Sequence, residues 1–118
     1  MTKILNHNTY HSQEIAITVS GTQTLSDCAN SIVTRFNTTI GSHRRLTAAQ
    51  HLALENEETV RVISGTADRP VIELTLQFRP PVVLIKIAVD PTLPVRMHTQ
   101  ATQLAARFYA LQAAERNS

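Results

Sequence analysis

VIELTLQFRPPVVLIKIAV, residues 71–89, contains two different strand patterns separated by the Pro80-Pro81 step. In the first half, four apolar residues alternate with mostly polar ones: Ile72, Leu74, Leu76 and Phe78. This period of two is typical of a strand with one buried face. The second half, residues 82–89, is apolar at nearly every position, as in a strand covered on both faces. The stretch therefore predicts two adjacent strands of one sheet.

The composition of the chain fits a single domain spanning residues 1–118. The chain is 42% hydrophobic and 17% charged, which suits a folded core. Its one cysteine, Cys28, cannot form an intramolecular disulfide. The N-terminal residues hold no signal-like apolar run, and no apolar run approaches the roughly 20 residues of a membrane span. We therefore expect a cytoplasmic domain, in which residues 1–12 are the segment most prone to disorder.

The other elements follow from periodicity and capping residues. Apolar steps of three and four predict helices, and alternation predicts strands. Outside residues 71–89 the predicted elements are strand 14–19, helix 24–40, short helix 46–54, strand 59–64 and helix 96–115. Thr24 or Ser26 can cap the first helix and Gly41 can end it. Thr47 and Gln50 have the spacing of a capping box for the short helix.

These elements predict an α+β fold of order β-α-α-β-β-β-α. An antiparallel sheet of three to four strands carries the two long helices, 24–40 and 96–115, on one face. Strand 82–89 belongs in the middle of the sheet because it is apolar on both faces. Four of its residues would then face the helices: Val83, Ile85, Ile87 and Val89.

The opposite face of strand 82–89 gives the main functional prediction. Val82, Leu84 and Ala88 point away from the helices, with Lys86 among them, and the chain offers no further element to cover them. An exposed apolar patch indicates association with a partner. We therefore predict a small non-enzymatic protein-interaction or assembly module, self-associating through these four residues. The outer side of helix 96–115 is a second candidate contact.

A nucleic-acid-binding domain is the first alternative. The order helix, three strands, helix is similar to that of double-stranded-RNA-binding domains, and the net charge of +2 is mildly basic. The candidate contacts are Arg44, Arg45, Arg69 and Arg96. The chain departs from those domains at the start of its last helix, where they place lysines and this chain has Arg96, Met97 and His98.

A small-ligand pocket or an enzyme with a cone-shaped α+β fold is the second alternative. Its candidate residues are His51, Asp90 and His98, because imidazole and carboxylate groups can exchange protons. No nucleophile or Gly-rich phosphate loop accompanies them in the sequence. His7 and His11 have the spacing of two zinc ligands on a helix, but no third ligand is near. We therefore predict no catalytic residue, metal or cofactor, and a structural role for Cys28.

Overall fold

The computed structural model describes residues 12–19, 21–65 and 70–116. Its elements are β1 (Ser12–Thr18), α1 (Leu25–Ile40), α2 (Ala48–Glu55), β2 (Val60–Gly65), β3 (Pro70–Arg79), β4 (Val82–Val89) and α3 (Val95–Arg116). The predicted α+β class and the order β-α-α-β-β-β-α are confirmed. Residues 1–11, on which the disorder prediction falls, lie outside the described residues, and Ser12 already belongs to β1.

The sheet has four antiparallel strands in the order β1-β4-β3-β2. β4 lies in the interior, as its apolar sequence predicts, and pairs with β1 on one side and β3 on the other. Ile85 is opposite Ile15 in one ladder and opposite Leu76 in the other. These three side chains are at most 1% exposed, so the centre of β4 is also the centre of the core.

Both long helices cover the same face of the sheet. α3 lies along β1 and contacts α1, and the aromatic rings Phe36 of α1 and Phe108 of α3 are fully buried. Cys28 is buried in the same core at 1% exposure, in agreement with its predicted structural role. Burial of such side chains supplies about 25 cal/mol per Å² of apolar surface, the main favourable term in folding.

The ends of α1 and α2 follow the capping chemistry of the sequence. The Thr24 hydroxyl accepts a hydrogen bond from the backbone N–H of Asp27 at 3.0 Å, so Thr24 rather than Ser26 caps α1. The capping box of α2 is complete, since Thr47 and Gln50 each bond the backbone N–H of the other. Gly41 ends α1 with φ of 71°, a left-handed conformation that glycine adopts at little cost.

Side chains from outside the sheet donate hydrogen bonds to backbone carbonyl groups of the two edge strands, β1 and β2. On β1, the Gln112 amide of α3 donates to the Ala16 carbonyl at 2.8 Å. On β2, Arg44 Nη2 donates to the Gly65 carbonyl at 3.1 Å, and Gln50 Nε2 lies 3.5 Å from the Arg61 carbonyl. These acceptors are therefore occupied where another strand would have to pair.

Replacing Ile85 by alanine is expected to lower the free energy of unfolding by about 2–5 kcal/mol, because the change leaves a cavity in the centre of the core. The matched control is Lys86→Ala, the next residue of the same strand, whose side chain is 47% exposed. Its surface ion pair contributes about 0–1 kcal/mol. Urea denaturation of the dilute protein measures both, and equal losses for the two variants would contradict the assigned register.

Candidate functional site

The face of the sheet opposite the helices is the candidate site and is called the outer face below. It is formed by the residues that alternate with the core positions of each strand: Glu14, Ala16 and Thr18 of β1, Val82, Leu84, Lys86 and Ala88 of β4, Glu73, Thr75, Gln77 and Arg79 of β3, and Arg61 and Ile63 of β2. Side chains on one face of neighbouring strands contact across the ladders, so these residues act as one surface.

The four predicted interface residues differ in how much surface they offer. Val82 and Leu84 are half-buried and do not belong to the hydrophobic core. Lys86 is exposed, whereas Ala88 is only 2% exposed and presents almost no side-chain surface. Ala88 is the smallest side chain of its row and lies between Ser12 and Glu73 in the two ladders. Of the four predicted residues, two therefore expose apolar side chains, one exposes a charged side chain and one exposes almost nothing.

A shallow concavity of about 330 Å³ lies on the outer face. It is lined by Glu14, Thr59, Thr75, Gln77, Arg79, Leu84 and Lys86. Leu84 is the one apolar side chain in this lining. Its ladder partners are Ala16 on β1 and Gln77 on β3. The concavity therefore has an apolar floor at β4 and a polar rim.

An ion pair of opposite charges flanks Leu84. Lys86 and Glu14 are ladder partners, and Lys86 Nζ lies 3.6 Å from Glu14 Oε2. Their side chains are 47% and 52% exposed. Such an exposed pair contributes about 0–1 kcal/mol to folding. Both charges therefore remain accessible to another molecule.

A second ion pair on the outer face was not apparent from the sequence. Arg61 Nε donates to Glu73 Oε1 at 2.7 Å, and Glu73 is only 6% exposed. Its other oxygen, Oε2, is buried and has no hydrogen-bond partner. Alternation alone places Glu73 on the polar side of β3, where solvent exposure is expected. Only the register of β2 against β3, with Ile63 opposite Glu73, brings Arg61 to it.

The arginines predicted for nucleic-acid binding do not all lie on one surface of the folded chain. Arg44 and Arg45 lie in the connection between α1 and α2, beside β2. Arg96 lies in the first turn of α3, the helix that packs along β1 at the other edge of the sheet. Arg69 is outside the described residues. The structure therefore brings together Arg44 and Arg45 but not the predicted set of four.

The residues predicted for a pocket are also separated. The two oxygens Asp90 Oδ1 and Thr92 Oγ1 are 2.7 Å apart, and Asp90 Oδ1 also accepts from the Thr92 backbone N–H, as in an Asx turn. His98 Nε2 is 3.2 Å from the Leu93 carbonyl in the same corner. His51 lies on α2, with Nδ1 2.9 Å from the hydroxyl of Ser26, at the start of α1. The structure therefore brings Asp90 and His98 into one corner, and His51 lies apart from them beside the start of α1.

The contact between His51 and Ser26 has the chemistry of a base beside a hydroxyl. A working nucleophile also needs a group that orients the imidazole and donors for the developing oxyanion. Within the described residues no carboxylate bonds His51, and the contact lies on the exposed surface. The pair forms a surface hydrogen bond between α1 and α2.

Two further features of the described residues concern metals and membranes. No group of three or more His, Cys, Asp or Glu side chains in this part of the chain could hold a metal ion. His7 and His11 lie outside the described residues. None of the described helices is long and apolar enough to cross a membrane.

Comparisons of the chain with protein-family models, with curated proteins and with solved structures found no significant match.

The Arg61–Glu73 pair is expected to respond unequally to loss of its two members. Arg61→Met leaves a buried carboxylate without its donor, which should lower the free energy of unfolding by about 1–3 kcal/mol. Glu73→Gln leaves Arg61, 39% exposed, open to water, and should cost less than about 1 kcal/mol. Urea denaturation of both variants checks the order, and a larger loss for Glu73→Gln would show that the carboxylate is not effectively buried.

Proposed function

We propose that this protein is a small assembly module that self-associates through the outer face of its sheet, centred on β4. The observation that carries the proposal is the position of Leu84 and Val82 outside the core, on an interior strand of a sheet face that none of the described helices covers. A half-buried apolar centre with a charged rim is the arrangement of protein interfaces.

A second copy of the chain is the occupant that suits this face. A two-fold contact uses the same surface on both subunits, so that surface must complement itself. Lys86 and Glu14 place both charge signs beside Leu84. When two outer faces stack about a two-fold axis that runs parallel to the strands, between β1 and β4, Lys86 of one copy meets Glu14 of the other. Each charge then gains a second opposite neighbour.

The hydrogen bonds at the sheet edges support stacking over strand addition. Carbonyls of β1 and β2 already accept bonds from Gln112, Arg44 and Gln50. A second copy joining at an edge would have to break these bonds, whereas stacking on the outer face leaves them intact.

The size of the outer face sets the expected strength of association. Four strands about 4.8 Å apart and about 20 Å long give a face of roughly 400 Å². Stable complexes bury about 800 Å² on each partner. The proposed dimer is therefore weak, and it forms at high protein concentration.

Leu84→Glu is expected to abolish self-association, because it places a charge at the apolar centre of the contact. The matched control is Leu52→Glu, which makes the same change at a 57% exposed leucine on α2. Sedimentation equilibrium at protein concentrations up to the millimolar range measures the self-association of both variants and of the parent chain. A parent chain that stays monomeric throughout, or equal loss in both variants, would refute the proposed interface.

Charge reversal tests the two-fold arrangement separately. Lys86→Glu alone and Glu14→Lys alone each create like charges across the contact and should weaken dimerisation by about tenfold, or 1.4 kcal/mol. The double variant restores both opposite pairs and should dimerise like the parent. Sedimentation at low and high salt gives the dimer affinity of each chain. Failure of the double variant to recover would rule out this pairing even if a dimer exists.

A further inference from the structure

The connection between α1 and α2 carries a compact basic segment, His43, Arg44 and Arg45, on its exposed surface. Arg44 and Arg45 form no ion pair with a carboxylate of the described residues; the ion pairs there join Arg61 to Glu73 and Lys86 to Glu14. The two arginines place two positive charges on neighbouring residues of an exposed connection. The segment therefore holds positive charge that an anion would stabilise.

Asn37 of α1 fixes the backbone of this segment. Its amide Nδ2 donates to the Arg44 carbonyl at 2.8 Å, and its Oδ1 accepts from the Arg44 backbone N–H at 3.1 Å. Oδ1 lies 2.6 Å from the Ser42 hydroxyl as well. One side chain thus holds both polar backbone groups of Arg44, so the position of the segment is set before any ligand arrives. Preorganisation of this kind lowers the entropy cost of binding.

Two concavities meet at the basic segment. One, of about 440 Å³, lies between the segment and α1 and is lined by Asn30, Val33, Thr34, Asn37 and the four residues 43–46. The other, of about 270 Å³, lies towards β2 and is lined by Arg44, Arg45, Gln50 and residues 61–63. Arg44 Nη2 is directed to the Gly65 carbonyl of β2, which places its side chain towards the second concavity.

We propose that the concavity between α1 and residues 43–46 binds a phosphate group. Arg45 offers a fork of five N–H donors, and His43 and Asn30 add a ring nitrogen and an amide. Arginine forks match phosphate oxygens in geometry and charge. Inorganic phosphate and phosphate monoesters present three or more non-bridging oxygens and a charge of about −2. A phosphodiester presents two such oxygens and one negative charge, and an arginine fork binds either group. The phosphate belongs to a free phosphate compound or to a nucleic-acid backbone.

The site does not involve the outer face used for self-association. The proposed phosphate site, between α1 and residues 43–46, shares no residue with the outer face. The second concavity, which reaches Arg61 and Ile63 of the outer face at the β2 edge, is not part of the proposed site. Variants of Arg45 should therefore leave the dimer affinity unchanged, and variants of Leu84 should leave phosphate binding unchanged. The two proposals can fail independently.

Titration of the full chain with inorganic phosphate tests the site, with backbone amide shifts followed by NMR. Saturable shifts at residues 43–46 are expected with phosphate and not with chloride or acetate at matched ionic strength. Arg45→Gln should weaken binding at least about tenfold, the effect of losing one charge-assisted contact. The matched control is Arg107→Gln, at an exposed position of α3. Absence of local shifts, or equal weakening in both variants, would overturn the proposal.

A labelled single-stranded oligonucleotide identifies the source of the phosphate. Binding that weakens steeply with salt, is displaced by phosphate and is lost in Arg45→Gln would assign the site to a nucleic-acid backbone. Phosphate binding without oligonucleotide binding would assign it to a free phosphate compound. Oligonucleotide binding that survives Arg45→Gln would contradict the role given to Arg45.

Discussion

The rest of the structure depends on the burial of β4 between β1 and β3. Ile85 lies between Ile15 and Leu76 on the helix-facing side of the sheet, and both long helices cover these three residues. Because the period of a strand is two, a shift of β4 by one residue would exchange this core face for the outer face. It would move Lys86 into the core. The contrast between Ile85 and Lys86 therefore fixes which face of β4 meets the core.

Most of the fold could be predicted from the sequence because local signals and tertiary structure agree. The alternation in β3, the continuous apolar run of β4 and the Thr47–Gln50 capping box each act over a few residues. The burial of Glu73 could not be predicted in this way. It depends on Arg61, twelve residues earlier, and on the pairing of two strands, which no local pattern encodes.

The candidate sites were predictable only in part for a similar reason. The sequence places Val82, Leu84 and Lys86 on one face because they share one strand. It cannot show that Ala88 is shielded by its neighbours, nor that Arg96 lies at the opposite sheet edge from Arg44. Residues adjacent in sequence stay together in the fold, as Arg44 and Arg45 do. Whether residues of different helices and strands lie close together can be judged only once the strand order is known.

The clamp formed by Asn37 has a consequence for how this protein can change over time. The backbone of Arg44 is held by a helix residue, and the Gly41 and Ser42 N–H groups bond the Asn37 carbonyl of the same helix. The backbone path of the segment is thus set by its hydrogen bonds to α1 and does not depend on the side chains at positions 43 and 45. Those two positions can therefore change in charge and size during evolution while the connection keeps its shape.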